Sequence, residues 1–501
     1  MNVINSSTES SNYIGRKSAF TVVELIAVIV VLAILVAVSY AGYSSVQRAA
    51  LSTAMRSELS KAYDVVELYV SDSGGRLPQN IDEVKSQTGL RIPETMLLKY
   101  VSYNDEYCLQ NRSAKDYKHR YYVMGESGSI SEGRCPAPMS INTRGSTCLS
   151  NNDTLYCWGR NSNYELGLGD SIQRNSPELV GGILEDKVID QVSFSSSPTG
   201  NNVCLNSDGD LYCWGKNTYG RLGLGDTLDR NSPTLVAQNL STRNIEEIST
   251  RYEHTCVIAT GEVLCWGYNY YGQLGVGDDT ARYVPTIVGG VISNEVAAHL
   301  SVGMWHSCVV TAEDRVYCWG RGSSGQLGLG DTTSYNAPQL VGSELTGKDV
   351  SSISSGNNHT CAIADNELYC WGDNSSGQLG LGDISQRNSP TKVQGSMAGR
   401  LVQQVSSGDN HTCAVSEGQL FCWGRGGLGQ LGTGNTSNQQ QPVLIQAALQ
   451  GARVYSVSSS GEHTCALTSA GLYCWGNNSV GQLGLGDTLI RLTPALVELP
   501  V

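Results

Sequence analysis

Val405-Ser406-Ser407-Gly408-Asp409-Asn410-His411-Thr412-Cys413-Ala414-Val415, followed by Leu420-Phe421-Cys422-Trp423-Gly424 and Gly429-Gln430-Leu431-Gly432, is one copy of a unit written seven times. The tryptophan of each Cys-Trp-Gly stands at 158, 214, 266, 319, 371, 423 and 475, in steps of 52 to 56 residues. A fixed period near fifty marks a repeat architecture. Within each unit, short β-forming runs alternate with glycine-rich turns, and no helical period appears. So small a unit cannot bury a face alone and must stack or close into a ring. Short four-stranded blades around an axis protect their edges, which predicts an all-β, seven-bladed propeller over 138–501.

The 16 cysteines fit the same plan. Folding Cys361 to Cys370 about the turn Asp365-Asn366 sets Ala364 opposite Glu367, Ile363 opposite Leu368 and Cys361 opposite Cys370. The cysteines then occupy a non-hydrogen-bonded pair, where α-carbons approach most closely and a disulfide fits. The same count pairs Cys148 with Cys157, Cys204 with Cys213, Cys256 with Cys265, Cys413 with Cys422 and Cys465 with Cys474. The hairpin that pairs Cys308 with Cys318 has one extra loop residue. Zinc is the competing reading, but Cys-x-x-Cys spacing is missing. Seven internal bridges imply maturation outside the cytoplasm.

Residues 1–137 balance 14 Lys and Arg against 14 Asp and Glu, while 138–501 set 19 against 32 and carry the whole net charge of −13. Such a surface repels phosphate backbones, so nucleic acid is not an expected partner. His254, His306, His359, His411 and His463 share one repeat position, which Ser146 and Asn202 fill elsewhere. A metal ring would not tolerate that exchange; a polar turn would. Asp170, Asp226, Asp278, Asp331, Asp383 and Asp487 share another position, held by Asn435 in the sixth copy, and read as turn caps rather than calcium ligands. No nucleophile elbow, phosphate loop or zinc motif is present. The sequence predicts no enzyme, metal or cofactor.

His-Thr-Cys, Cys-Trp-Gly and Gly-Gln-Leu-Gly-x-Gly-Asp at this period resemble the repeats named after the regulator of chromosome condensation. The resemblance covers 138–501 and implies a seven-bladed propeller. The first copy opens at Met139-Ser140-Ile141-Asn142 and the last ends in Pro494-Ala495-Leu496-Val497. The expectation is that this terminal strand completes the blade begun near Ser140. Loops that depart from the repeat are the candidate contacts: Ser195 to Thr199, Tyr268 to Tyr271, and Met304-Trp305, with Tyr270, Tyr271 and Trp305 as ligand-binding residues.

The amino terminus carries a second signal. A polar stretch ends in Arg16-Lys17-Ser18-Ala19, then Phe20-Thr21-Val22-Val23-Glu24 precedes an apolar run from Leu25 to Val38. The segment from Phe20 is long enough to span a bilayer. Three readings fit: a secretory signal cut after Ala41, a permanent anchor, and a third that resembles the class III signal of type IV pilins and pseudopilins. That resemblance implies cleavage between Ala19 and Phe20, methylation of Phe20, and a filament-assembly role for Glu24. Ala19 stands where the family usually has glycine. Helical spacing of Val46, Ala50, Leu51, Met55, Leu59, Ala62, Val66 and Tyr69 extends the apolar segment into one long helix ending at Ser73-Gly74-Gly75.

The expected organisation is a leader over 1–19, a transmembrane and stalk helix over 20–72, a small α+β head over 73–137, and the propeller. The head has a helix at 81–88 and strands at 106–110 and 120–124, and pairing of Cys108 with Cys135 resembles the pilin disulfide loop. The functional expectation is a minor, tip-located pilin displaying the propeller as an extracellular adhesin or recognition head. Its partners would be other pilins, the assembly machinery, prepilin peptidase, the membrane through its helix, and a surface protein or glycan. A pseudopilin that binds secreted substrates and an inhibitor-type, protein-binding propeller are the alternatives.

Overall fold

The computed structural model describes residues 53–71, 91, 96–103, 106–113, 120–124, 130–132 and 145–500, the last with breaks at 152–153, 186, 188, 196–199, 446–448 and 450. Ala19, Phe20, Glu24, the apolar run, the helix expected at 81–88 and the expected bridge between Cys108 and Cys135 lie outside the described residues. A helix covers 53–71 and buries Met55, Leu59, Ala62, Val66 and Tyr69, spaced three and four apart along one face. No helix among the described residues is long and apolar enough to cross a membrane. Strands Met96–Tyr103, Glu106–Ser113, Arg120–Met124 and Ile130–Glu132 form one sheet in sequence order.

The repeats form a seven-bladed propeller. Six blades are four-stranded sheets in sequence order; the first has three described strands, Ser146–Asn151, Thr154–Gly159 and Arg174–Leu179. Blade 5 serves as the type, with strand a Val350–Ser355, b His359–Ala364, c Glu367–Gly372 and d Arg387–Lys392. The a strands of adjacent blades touch around the axis.

The expected closure by an exchanged strand is corrected. The terminal strand Arg491–Leu496 pairs with Gly471–Gly476 of its own blade, Tyr473 facing Leu496. The proline-bearing strand belongs to the Cys-Trp-Gly strand that precedes it, as Tyr156 facing Leu179 shows in blade 1. Each copy therefore supplies its own d strand, and the last has none to lend.

Each b–c hairpin carries one disulfide. In blade 5 Asp365 and Asn366 take φ of 51° and 61°, a two-residue turn with the twist that antiparallel strands favour. Cys361 then faces Cys370, and the two are bonded. The other blades repeat the arrangement in chain order: Cys148 bonds Cys157, Cys204 bonds Cys213, Cys256 bonds Cys265 and Cys308 bonds Cys318. Beyond blade 5, Cys413 bonds Cys422 and Cys465 bonds Cys474. All seven pairs expected in the repeats are therefore present, and the extra loop residue between Cys308 and Cys318 leaves those cysteines opposite one another. Their Cα–Cα separations are 4.1 to 4.2 Å, and all fourteen residues are fully buried. A bridge closing so short a loop contributes roughly 2–3 kcal/mol in the chain-entropy account.

The apolar core lies between blades rather than within them. Between blades 5 and 6, for example, Ile363, Leu368, Leu379 and Val393 pack with Val405, Ala414, Phe421 and Trp423. At every seam the tryptophan of one blade donates its Nε1–H to the carbonyl before the Leu-Gly of the preceding blade, at 2.9–3.0 Å. Trp158 reaches Gln482 in this way, so the same bond closes the ring. The glycine after that leucine lies against the indole. Its φ is +70° to +75° in all seven copies, and an added Cβ would meet Nε1 at 2.6–2.8 Å. Gly-Gln-Leu-Gly and Cys-Trp-Gly are thus two halves of one inter-blade joint.

Histidine completes most joints. Thr147, Thr255, Ser307, Thr360, Thr412 and Thr464 donate to the same carbonyl at 2.7–3.0 Å. Five of these hydroxyls lie 2.9–3.2 Å from the Nε2 of His463, His254, His306, His359 and His411. The hydroxyl proton is committed to the carbonyl, so each histidine donates through Nε2–H, and full burial favours its neutral form. Burial accordingly lowers His254, His306 and His411 to about 3 and His463 to about 4, and pushes His359 well below the ordinary histidine range.

The joints make stability depend on pH. Between about pH 4 and 6.5 the unfolded chain binds protons that the native histidines refuse, so stability falls as pH drops. The loss is about 2 kcal/mol per histidine at pH 5. Denaturant midpoints from pH 7.5 to 5 should fall with that slope, and His411→Gln should flatten it by about one proton; a pH-independent midpoint contradicts neutral buried histidines. The glycines give a separate test. Gly399→Ala, with φ of +73° and open space around it, should cost about 1–2 kcal/mol from the backbone alone. Gly380→Ala, which meets Trp423, should cost about 1–3 kcal/mol more by thermal or denaturant unfolding.

Candidate functional site

The joints freeze the blade while leaving the tips of two loops free. In the c–d loop of blade 3, Asn269 accepts from the backbone N–H of Leu274 at 2.9 Å and donates to the Asp278 carbonyl at 2.9 Å. Tyr270 and Tyr271 stand at the tip between these anchors; Ser375 and Ser376 occupy the same tip in blade 5, anchored by Asn374. The a–b loops behave alike. Gly356-Asn357-Asn358 in blade 5 is Arg251-Tyr252-Glu253 in blade 3 and Gly303-Met304-Trp305 in blade 4. Gly303 and Gly356 are fixed by packing, because an added Cβ would run into the ring of His306 or His359.

These departures converge. Trp305 sits 4.3 Å from Tyr252, 5.2 Å from Tyr268 and 5.6 Å from Tyr271 between ring centroids. Tyr268 lies 4.8 Å from Tyr219 and 6.4 Å from Tyr270, and Tyr270 meets Tyr271 edge-on at 5.1 Å. Six aromatic rings from blades 2, 3 and 4 make one continuous surface, with Tyr270 66% and Tyr219 40% exposed. The Arg321 guanidinium lies over Tyr271 at 5.4 Å. Each aromatic contact adds about 0.5–1.5 kcal/mol beyond simple burial, so the rings brace one another. Burial, aided by neighbouring tyrosines, raises the Tyr268 phenol above its ordinary value.

The surface is held from beneath. Arg221 replaces the glutamine of Gly-Gln-Leu-Gly in blade 2 and is completely buried. Elsewhere that glutamine accepts a backbone N–H of its own loop, as Gln378 does from Ser376 at 2.8 Å. Arginine cannot accept, so it reaches outward instead. Its guanidinium donates to the carbonyls of Thr218 (3.1 Å), Gly200 (2.9 Å) and Tyr252 (3.2 Å) and pairs with Glu253 at 3.3 Å. Burial pulls its pKa down to about 10. Tyr219 and Tyr252, next to the clamped carbonyls, have φ of 60° and 57°, a left-handed backbone unusual for bulky residues. Such strain persists only where the surroundings over-determine it. Arg251 spans from blade 3 to the carbonyls of Ser355 (2.8 Å) and Ser407 (3.0 Å) in blades 5 and 6 and to Asp409.

Of the residues singled out from sequence, Trp305, Tyr270 and Tyr271 come together here. Ser195 does not join them: it is buried and accepts from the Asn202 N–H, and 196–199 lie outside the described residues. Tyr219, Tyr252 and Arg221 were missed, although Arg221 stands where five copies have glutamine and was legible by aligning them. The aspartate series caps its turns: Oδ1 accepts the N–H two residues on at 2.8–2.9 Å in every copy, Asn435 included. Among the described residues, no group of three or more His, Cys, Asp or Glu is placed to hold a metal ion.

The RCC1-like domain model matches residues 203–501, and the regulator of chromosome condensation (RCC1) repeat matches 152–199. The ultraviolet-B receptor UVR8 of Arabidopsis thaliana is 34% identical over 362 residues, covering 70% of this chain and 79% of the receptor. Human HERC2, an E3 ubiquitin-protein ligase, is 30% identical over 69% of this chain, but the match spans only 7% of HERC2. Among solved structures, human WBSCR16 aligns with a TM-score of 0.61 at 23% identity, over 69% of this chain and 95% of that one. Prp20p from Saccharomyces cerevisiae aligns with a TM-score of 0.60 at 21% identity, over 72% and 87%. The repeats, the joints between blades and these matches agree: the chain belongs to the RCC1-like domain family.

Proposed function

We propose that this protein is a non-catalytic recognition module whose propeller binds a macromolecular partner, a protein by preference, through the aromatic sector of blades 2 to 4. One observation carries the reading: side chains that break the repeat in three different blades meet in a single surface braced by a buried arginine. Tyrosine, tryptophan and arginine are the side chains that dominate binding energy at protein interfaces. They also present large, rigid contact area at low entropic cost. The matching tips of the other blades, Ser162-Asn163, Ser323-Ser324, Ser375-Ser376, Gly427-Leu428 and Ser479-Val480, carry no aromatic residue.

The delivery of this module rests on sequence. Phe20 and Glu24 resemble the processed start of a type IV pilin, which favours a propeller carried by an exported, filament-associated subunit. A propeller of some 360 residues is too bulky for every subunit of a dense filament, which favours a minor subunit at the tip. A pseudopilin that presents the same surface to secreted substrates is the second reading, favoured if the protein stays periplasmic.

Two measurements test these statements. The mature amino terminus should be methylated Phe20; Gly42 would indicate ordinary secretion and Met1 a fixed anchor. In an attachment assay with the full chain on cells, Tyr270→Ala should weaken binding by at least about tenfold, as expected for an interface hot spot. Ser375→Ala should change nothing, and both variants should melt like the wild type. Equal attachment by Tyr270→Ala would remove the aromatic sector as the binding surface.

A further inference from the structure

Five blades pair the turn aspartate with an arginine four residues on, Asp170–Arg174, Asp226–Arg230, Asp278–Arg282, Asp383–Arg387 and Asp487–Arg491, at 2.7–2.8 Å. Blade 6 substitutes the neutral pair Asn435 and Gln439. Blade 4 alone keeps the carboxylate and loses the cation. Tyr335 stands in place of arginine, and its hydroxyl donates to Asp331 at 3.2 Å.

Tyr335 lines a cleft beside the aromatic sector. It is lined by Tyr270, Tyr271, Gly272, Asp279, Ser334, Tyr335 and Asn336. Gly272 allows the two walls to approach, since a Cβ there would lie 2.5 Å from the Asn336 Cα. No lysine or arginine lines the cleft, and the exposed Asp279 carboxylate stands on its rim. The Tyr271 ring has the Arg321 guanidinium over it at 5.4 Å, which shows that this ring receives a cation. Among the described residues the Tyr270 and Tyr335 rings hold none. A phenol that donates to a carboxylate is the more electron-rich, which strengthens its attraction for a cation.

We infer that this cleft receives a lysine or arginine side chain of the partner, held between the tyrosine rings and paired with Asp279. The inference rests on the recognition role proposed above and specifies its chemistry. Charge points the same way: the repeats as a whole hold 19 Lys and Arg against 32 Asp and Glu, so a basic partner is steered toward the propeller and an acidic one is turned away. The arginine that the repeat withholds in blade 4 is supplied from outside.

The test uses the full chain and a small probe, N-acetyl-arginine methylamide, against its uncharged analogue N-acetyl-citrulline methylamide, in saturation-transfer NMR. The arginine probe should bind at least fivefold more tightly than the citrulline probe. Tyr335→Arg, which restores the residue of five other blades and so keeps the fold, should remove one ring from the cleft, set a cation beside it and weaken the arginine probe at least fivefold. Asp279→Asn should also weaken it, and Tyr335→Phe should retain most of the binding. Equal binding of the two probes, or an unchanged affinity in Tyr335→Arg, overturns the inference. Because the probe needs no partner, that failure leaves the aromatic sector standing, whereas undiminished attachment by Tyr270→Ala removes the sector itself.

Discussion

A tryptophan N–H reaching across to the carbonyl of the blade before it is the constraint on which the molecule depends. That bond, with the glycine that admits the indole and the hydroxyl that shares the carbonyl, uses up most of what the repeat specifies. Trp158 makes it to Gln482 as Trp423 makes it to Gln378, so closing the ring requires no exchanged strand. The fourteen cysteines of the hairpins serve the same end by pinning the two strands that present tryptophan and histidine. A ring so jointed is rigid, and its loop tips are correspondingly tolerant.

Tolerance is what blades 2 to 4 exploit. Blade 5 can be regarded as the unmodified unit: glycine and asparagines in the a–b loop, serines at the c–d tip, glutamine holding its own loop. Blade 3 replaces all but the last, and blade 2 exchanges the glutamine for Arg221, whose guanidinium ties three loops together. Placing a charge there is costly unless its donors are satisfied, and Glu253 with three carbonyls takes four of the five. The return is a pre-organised surface, since loops already fixed lose little entropy when a partner binds.

The propeller was legible because its signals are periodic. The hairpin register was readable from the cysteine count alone, since two residues at a turn fix the pairing of every residue outward from it. Cys148 with Cys157 and Cys465 with Cys474, at the two ends of the ring, obey that count as well as the pair in blade 5 does. The turn-capping role of the aspartates followed from their exchange with Asn435. The boundary of the unit was not legible: a repeated sequence has no marked start, and only pairing with the Cys-Trp-Gly strand assigns the proline-bearing strand to its own copy. Trp305 and the tyrosines at 270 and 271 stood out as breaks in the pattern. Tyr219, Tyr252 and the buried Arg221–Glu253 pair did not, because which loop tips meet across blades is set by the curvature of the ring. The vacancy left by Tyr335 was similarly invisible until the five Asp–Arg pairs gave it a reference.

The central claim is that recognition resides in one sector of a pseudo-symmetric ring. Tyrosine-selective labelling of the full chain, with its target attached and without it, examines it most directly, with labelled positions read by peptide mass spectrometry. The account predicts that attachment protects Tyr219, Tyr270 and Tyr271 while Tyr455 in blade 7, 44% exposed, labels equally in both states. Protection at Tyr455 with none at Tyr219 and Tyr270 would place the contact on another part of the wheel and contradict it.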